Sequence, residues 1–64
     1  MKLIRLKQVM ECTGLARSTV YKFIAEGDFP KPVKLGTRVA AWVEAEVFAW
    51  MESKVNSRDN AARS

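Results

Sequence analysis

The stretch that decides the fold of this chain is residues 13–24, TGLARSTVYKFI. It begins with a short polar turn that contains Gly14, and it continues with apolar residues at helical spacing. A helix over residues 16–26 places these apolar residues on one side and the polar residues on the other, and Gly27 is well placed to end it. The residues predicted to face inward are Val20, Phe23 and Ile24.

A shorter helix is predicted immediately before this turn. Apolar residues recur at i, i+3 and i+4 from Leu6, which predicts a helix over about residues 6–12. Two helices joined by a glycine-containing turn are the sequence form of a helix-turn-helix, in which the second helix enters the major groove of DNA. The sequence therefore predicts that residues 16–26 are a recognition helix.

The segment after the recognition helix predicts a stiff connector and then a β-hairpin. Pro30 and Pro32 exclude a helix, because each lacks a backbone N–H and pushes the residue before it out of the α region. Two short apolar segments follow, residues 33–35 and 39–42, with a glycine between them. They are predicted to form two short strands that could serve as a wing beside the recognition helix.

The register of this hairpin is left open by the sequence. A two-residue turn at residues 36–37 suits the conformational preference of glycine and pairs Leu35 with Arg38. A loop of residues 36–38 instead pairs Leu35 with Val39 and collects the apolar residues on one face. The turn chemistry favours the first register, and the apolar pattern favours the second.

A third helix is predicted over about residues 43–55 by an apolar stripe at i, i+4, i+7 and i+8. Residues 56–64 show no apolar periodicity and are expected to be a flexible polar tail. The predicted fold is therefore mainly α with a small β-hairpin, a winged helix-turn-helix domain of residues 1–55 in the order α-α-β-β-α. The apolar stripe consists of Val43, Val47, Trp50 and Met51.

Positive charge is concentrated in the first part of the chain. The net charge is +4, with +5 on residues 1–38 and −1 on residues 39–64. A polyanion is therefore expected to bind the first part. The predicted helix-turn-helix favours double-stranded DNA, and RNA is less favoured because the sequence has no aromatic sheet motif of the kind that binds single strands.

The sequence offers no candidate for a catalytic, metal or cofactor site. It has no histidine and one cysteine, Cys12, which excludes a disulfide within the chain and a Cys/His zinc site. Without a glycine-rich phosphate loop or an acid pair in an evident cleft, neither an enzyme nor a small-molecule substrate is expected. Cys12 is expected to be a small buried hydrophobe. No apolar run approaches the ~20 residues of a bilayer span, so a cytoplasmic protein with no membrane partner is expected.

The candidate DNA contacts are the polar side chains of the recognition helix, the connector and the hairpin. An arginine can donate two hydrogen bonds to guanine O6 and N7, so Arg17, near the start of the helix, is the first candidate for sequence specificity. The other elements are assigned to the phosphate backbone, which positions a protein without specifying sequence. The residues predicted to contact base edges are Arg17, Ser18, Tyr21 and Lys22, and those predicted to contact phosphates or form the wing are Thr19, Lys31, Lys34, Thr37 and Arg38.

These residues also have plainer interpretations. Arg17 and Lys22 are equally compatible with a solvated helix face. Tyr21 could lie at the edge of the core, with its hydroxyl reaching a backbone group. The basic hairpin side chains could serve only to protect an exposed strand edge. Trp42 and Trp50 are expected in the core rather than as platforms for stacked bases.

Several short motifs follow one another at fixed distances along residues 3–51. They are RL at 5–6, TGL at 13–15, RSTVY at 17–21, GDFPKP at 27–32 and LG at 35–36, together with Val9, Trp42, Glu46, Val47 and Trp50. In this combination the chain resembles the AlpA family of small phage-type regulators, which are related to the winged-helix excisionases. It departs from the family pattern at Ala16, where a serine-like cap of the recognition helix is expected, and at Ala45.

The resemblance implies a winged helix-turn-helix that binds DNA near the integrase gene of a prophage or genomic island. Proteins of this kind activate integrase transcription, or act as excisionases, also called recombination directionality factors, by bending the attachment-site DNA. An integrase and other copies of the same chain on DNA are the protein partners that the resemblance suggests.

A protein-interaction module is the alternative function, for example an antirepressor or an integrase-binding adaptor. Phe48 and Val55 lie at the edge of the apolar stripe of the third helix and could form a contact patch. They could equally pack against the hairpin within the domain.

Overall fold

The computed structural model describes residues 1–63, with the side chains of residues 1–60. Within these residues it confirms a mainly α fold with a small hairpin, consistent with a winged helix-turn-helix, and adds a strand at the N-terminus. The elements in chain order are β1 (Leu3–Ile4), α1 (Leu6–Thr13), α2 (Arg17–Ala25), β2 (Val33–Gly36), β3 (Val39–Val43) and α3 (Glu44–Arg63).

The turn between α1 and α2 is built around Gly14, as the sequence predicts. Gly14 has φ 73° and ψ 9°, a left-handed conformation that glycine adopts without steric cost, and its N–H donates to the Met10 oxygen at 2.8 Å. The Thr13 hydroxyl donates to the Val9 oxygen at 2.7 Å and accepts from the Leu15 N–H at 3.3 Å. These bonds close the end of α1 and fix the direction in which the chain enters α2.

The other end of α2 is closed by a Schellman motif. Gly27 has φ 74°, and its N–H donates to the Ile24 oxygen at 3.0 Å. The Asp28 N–H donates to the Phe23 oxygen at 2.9 Å, which completes the paired bonds of this motif. The predicted stop of the recognition helix at Gly27 is thus confirmed.

The three strands form one antiparallel sheet in the order β1-β3-β2. Leu3 pairs with Val43, and Ile4 pairs with Trp42. The sequence does not predict this strand, because a two-residue strand is too short to show an alternating pattern. Its pairing with β3 brings the start of α1 close to the hairpin.

The hairpin combines features of both predicted registers. Leu35 is an extra residue that forms a bulge in β2. Beyond the bulge, the two strands pair in the register that the three-residue loop predicts. At the tip, the hairpin closes with a two-residue turn at 37–38. The observed two-residue turn therefore lies one position after the turn at residues 36–37, which is one of the two registers that the sequence leaves open. The observed pairs are Val33 with Ala41, Lys34 with Ala40, and Gly36 with Val39.

The core lies where the sheet meets the three helices. Trp42 is 1% exposed, as predicted, and Trp50 is half-buried. Both indoles donate to backbone oxygens of the connector, Trp42 to Pro30 at 3.1 Å and Trp50 to Asp28. The buried apolar residues are Ile4, Val9, Val20, Phe29, Ala41, Trp42 and Val47.

The third helix is longer than predicted. It begins at Glu44 and continues to Arg63, whereas the sequence predicts an end near residue 55. No glycine or proline occurs in residues 44–63 to end it, and residues 52–60 are all exposed, which explains why the helix shows no apolar periodicity there. The flexibility of residues 56–64 stays a prediction, and Ser64 lies outside the described residues. None of the helices in residues 1–63 has both the length and the apolar character needed to cross a membrane.

The prediction that Cys12 is buried is wrong. Cys12 is exposed, and its Sγ donates to the Gln8 backbone oxygen at 2.9 Å. Val9 is buried and Met10 and Thr13 are half-buried, so these residues and not Cys12 form the core side of this part of α1.

We expect that Ala16→Ser stabilises the domain. Ala16 precedes α2 in an extended conformation, with φ −72° and ψ 157°, and gives α2 no side-chain cap. A serine there can accept a hydrogen bond from an N–H of the first turn, which contributes about 1 kcal/mol. For a domain of this size we expect the midpoint of thermal unfolding to rise by roughly 4–8 °C.

Circular dichroism during heating measures this shift. Ala16→Val is the matched control, because valine also tolerates the extended backbone but has no acceptor. An equal gain in both variants, or no gain with serine, would contradict the capping explanation.

Candidate nucleic-acid interface

The recognition helix α2 turns its apolar side chains to the core and its polar side chains to solvent. Val20 is fully buried, and Phe23 and Ile24 are half-buried. This confirms the predicted division of the two faces, although the contact roles of the polar residues stay predictions. Thr19 is half-buried at the side of α2, and the four exposed polar side chains are Arg17, Ser18, Tyr21 and Lys22.

The ring of Tyr21 connects the exposed face of α2 to the sheet. Its centroid lies 6.4 Å from that of Trp42, with an interplanar angle of 65°, which is an edge-to-face contact. The guanidinium carbon of Arg17 lies 5.9 Å from the Tyr21 centroid, within the range of a cation–π interaction. The Tyr21 ring therefore contacts Arg17 and is itself held by Trp42 of the core. This agrees with one part of the alternative interpretation, that Tyr21 lies at the edge of the core.

The hairpin places its predicted contact residues at one end of the sheet. Thr37 and Arg38 form the turn, and Lys34 lies on β2 next to the bulge. All three are exposed, as is Lys31 in the connector. The structure thus brings the predicted wing residues together at the hairpin tip.

The positive charges of α2 and the hairpin are not neutralised by salt bridges. Within residues 1–60, no basic side chain of α2, the connector or the hairpin takes part in one. Exposed cations that no acid neutralises produce a positive potential that attracts a polyanion. The salt bridges present are Lys2 with Glu44 at 3.6 Å, Lys54 with Asp28 at 3.1 Å and Arg58 with Asp59 at 2.9 Å.

Two basic residues outside the predicted set lie beside α2. Arg5 and Lys7, at the start of α1, line a cleft together with Tyr21 and Arg38. Arg5 is identified from the sequence only as part of a motif, because the cleft forms through the pairing of β1 with β3. The only sequence signal for these two residues is that both are basic and lie in the positive first part of the chain.

The predicted protein-contact residues lie on an exposed stripe of α3. Phe48 is 45% exposed and Val55 is 48% exposed, so the hairpin does not enclose either side chain. With Met51 and Glu52 they line a shallow groove of about 610 Å³. Among residues 1–60, no group of three or more His, Cys, Asp or Glu side chains is placed to hold a metal ion.

Comparison with known proteins gives one family and two relatives. A family model described as "Prophage CP4-57 regulatory protein (AlpA)" matches residues 2–55. An uncharacterized protein, ORF88, of Enterobacteria phage P4 is 42% identical over 57 residues, which is 89% of this chain and 65% of the phage protein. The chain thus spans less than two thirds of the length of that relative.

The second relative has a named activity. It is the DNA-binding transcriptional activator AlpA of Escherichia coli strain K12, 32% identical in an alignment of 59 positions that covers 83% of this chain and 84% of the activator. The family match includes β1, α1, α2 and the hairpin, and it stops within α3.

Proposed function

The chain belongs to the AlpA family of prophage regulatory proteins, and from this premise we propose that it is a sequence-specific DNA-binding regulator of transcription. The observation that carries the proposal is the exposed face of α2, which holds Arg17, Ser18 and Lys22 beside a hairpin of the same charge. No side chain of this face forms a salt bridge with the part of the chain that the structure describes. Such a regulator acts in the cytoplasm and requires no cofactor.

The recognition helix enters the major groove with its first turn towards the base edges. Arg17 is the first residue of α2, and two hydrogen bonds from its guanidinium to guanine O6 and N7 give it sequence preference. Ser18 and Lys22 reach neighbouring base edges. Tyr21 holds Arg17 in position through its ring rather than contacting a base, which changes the role expected from the sequence.

The hairpin and the connector contact the phosphate backbone. Lys34, Thr37 and Arg38 surround the hairpin tip, and Lys31 extends the positive surface along the connector. These contacts fix the position of α2 on the duplex and carry no sequence information themselves. Thr19, which is half-buried, contributes at most one phosphate contact at the side of α2.

We propose further that the regulated gene is the integrase gene of a prophage or genomic island. The phage origin of one relative and the activator name of the other support this target. An excisionase role follows from the same fold if the protein binds tandem sites and bends the DNA between them. Footprinting across the integrase promoter and the attachment site distinguishes the two roles, because tandem sites that flank a bend indicate excision and one site near the promoter indicates activation.

A second candidate function is contact with another protein through α3. The exposed stripe of Phe48 and Val55, with the partly buried Met51 between them, is the observation that favours it. A second copy of the chain on an adjacent DNA site is the proposed partner, and an integrase is the alternative one. Such contacts would make binding to tandem sites cooperative.

We expect Arg17→Ala and Lys34→Ala to weaken DNA binding in different ways. Arg17→Ala removes the contact with guanine, so affinity for the specific site falls by about 1–3 kcal/mol while affinity for random duplex changes little. Lys34→Ala removes a phosphate contact, so all duplexes are weakened alike and the slope of log K against log salt falls by about 0.9.

Fluorescence anisotropy over a salt series, with duplexes from the integrase region and a random duplex, measures both effects. Equal loss of preference in the two variants would contradict these assignments. If the wild-type protein bound no duplex at low salt, the proposed function itself would be wrong.

We expect Tyr21→Phe to keep the preference for the specific site and Tyr21→Leu to reduce it. Phenylalanine retains the ring that supports Arg17, whereas leucine loses a cation–π interaction of about 0.5–1 kcal/mol. The ratio of specific to random affinity is the measured quantity. In an Arg17→Ala background, Tyr21→Leu should cause no further loss of preference, since the supported side chain is absent.

A loss in Tyr21→Phe equal to that in Tyr21→Leu would show that the hydroxyl contacts the DNA. Thermal unfolding of each variant separates this outcome from loss of the fold.

We expect Phe48→Glu to abolish cooperative binding to tandem sites and to leave single-site affinity unchanged. A charge in the apolar stripe blocks its burial against a second copy. Ser57→Glu is the matched control, because it adds the same charge on the opposite side of α3. Gel-shift assays with one-site and two-site duplexes compare them, and unchanged cooperativity in Phe48→Glu would show that the stripe is no interface.

A further inference from the structure

A cleft of about 310 Å³ separates the recognition helix from the hairpin. Its walls carry the basic side chains of Arg5, Lys7 and Arg38, and its apolar surface includes Tyr21 and Trp42. No acidic side chain lines it, and none of its three cations has a salt bridge within residues 1–60. A cleft with charges of one sign and apolar walls concentrates the field and attracts an ion of opposite charge.

The two cations of α1 are not placed to stabilise that helix. The N-terminus of a helix favours acidic residues, and the first turn of α1 has none, whereas Arg5 is its N-cap residue and Lys7 lies in its first turn. The cap is provided by Gln8, whose Oε1 accepts from the Arg5 N–H at 2.9 Å. The Arg5 guanidinium, which can only donate, takes no part in it. Neither the helix dipole nor the cap of α1 therefore explains either cation.

The position of the cleft matches the position of a DNA strand in the proposed complex. When α2 lies in the major groove and the wing lies beside it, the sugar-phosphate backbone that bounds the groove passes between them. The cleft that Arg5, Lys7 and Arg38 line lies next to Tyr21 of α2 and Ala40 of the hairpin, which is the place where such a strand would pass.

We propose that this cleft is a binding site for the DNA backbone, in which Arg5 and Lys7 contact phosphates together with Arg38. The proposal rests on the proposed function and adds residues of α1 to the interface. The contacts are independent of sequence, so they contribute equally to specific and random duplexes.

The test compares two variants that lose the same net charge. Arg5→Gln/Lys7→Gln removes the two cleft cations, and Lys2→Gln/Lys54→Gln removes two cations that are paired with Glu44 and Asp28 and do not line the cleft. For the cleft variant we expect the slope of log K against log salt to fall by about 0.9 for each phosphate that is no longer neutralised, up to about 1.8. The control variant should keep most of the wild-type slope, and both should keep the wild-type ratio of specific to random affinity.

The outcomes separate this inference from the proposed function. Wild-type binding with equal slopes in the two variants would overturn the cleft site alone, as would a loss of site preference in the cleft variant. A wild-type protein that bound no duplex would overturn both proposals. Thermal unfolding should show no loss of stability in the cleft variant, and Lys7→Gln alone, with half the expected change in slope, repeats the test if the double variant does not fold.

Duplexes that carry one uncharged methylphosphonate linkage distinguish the DNA backbone from a free phosphate ion as the ligand. We expect one position at which this linkage weakens the wild-type protein but not the cleft variant. Competition by inorganic phosphate at constant ionic strength, with no such position in the duplex, would instead assign the cleft to a small anion and overturn the proposal.

Discussion

Hydrogen bonds from the N–H groups of two tryptophans hold the connector between the recognition helix and the hairpin. The placement of the recognition helix and of the hairpin depends on these two bonds. Trp42 in β3 donates to the Pro30 oxygen at 3.1 Å, and Trp50 in α3 donates to the Asp28 oxygen. These carbonyls belong to a segment outside the helices and strands, so the indoles provide the partners that regular structure does not. Phe29, which lies between Asp28 and Pro30 in the sequence, is 5% exposed, and its ring centroid is 4.8 Å from that of Trp50. The connector is thus held from the sheet on one side and from α3 on the other.

A consequence of the small size is that the same side chains serve the core and the proposed interface. A domain of this length buries only about 60% of the surface that its unfolded chain exposes, so few residues are available for either purpose alone. Trp42 anchors the connector, contacts the Tyr21 ring and contributes to the cleft, and Tyr21 in turn supports Arg17. A change of packing at Trp42 would therefore alter the direction of Arg17, even though the two residues are not neighbours in sequence.

The parts of the fold that sequence predicts well are those with a local cause. The periodicity of α2 and the glycine at its end fix both its extent and its exposed face, including Arg17. The bulge at Leu35 could not be predicted, because the turn chemistry and the apolar pattern favour different registers. The bulge allows the strands to follow one preference and the tip of the hairpin to follow the other. The cleft depends on a long-range pairing between β1 and β3, so no local pattern predicts that Arg5 and Lys7 approach Arg38. The predicted end of α3 is wrong because residues 52–60 are all exposed, and an exposed part of a helix shows no apolar periodicity.

The distribution of charge lowers the stability of the free domain and favours the bound one. Cations held close together on α1, α2 and the wing repel one another in the folded chain and lie farther apart on average in the unfolded chain. The acids paired in the structure, such as Asp28 with Lys54, lie on other elements, and Glu11 on α1, which lines a groove with Lys7 and Arg17, offsets only part of this repulsion. Salt screens the repulsion, so the ions that weaken DNA binding also stabilise the free domain. In the proposed complex a DNA backbone replaces the repulsion with attraction, and because it binds the folded chain more tightly than the unfolded chain, it stabilises the domain.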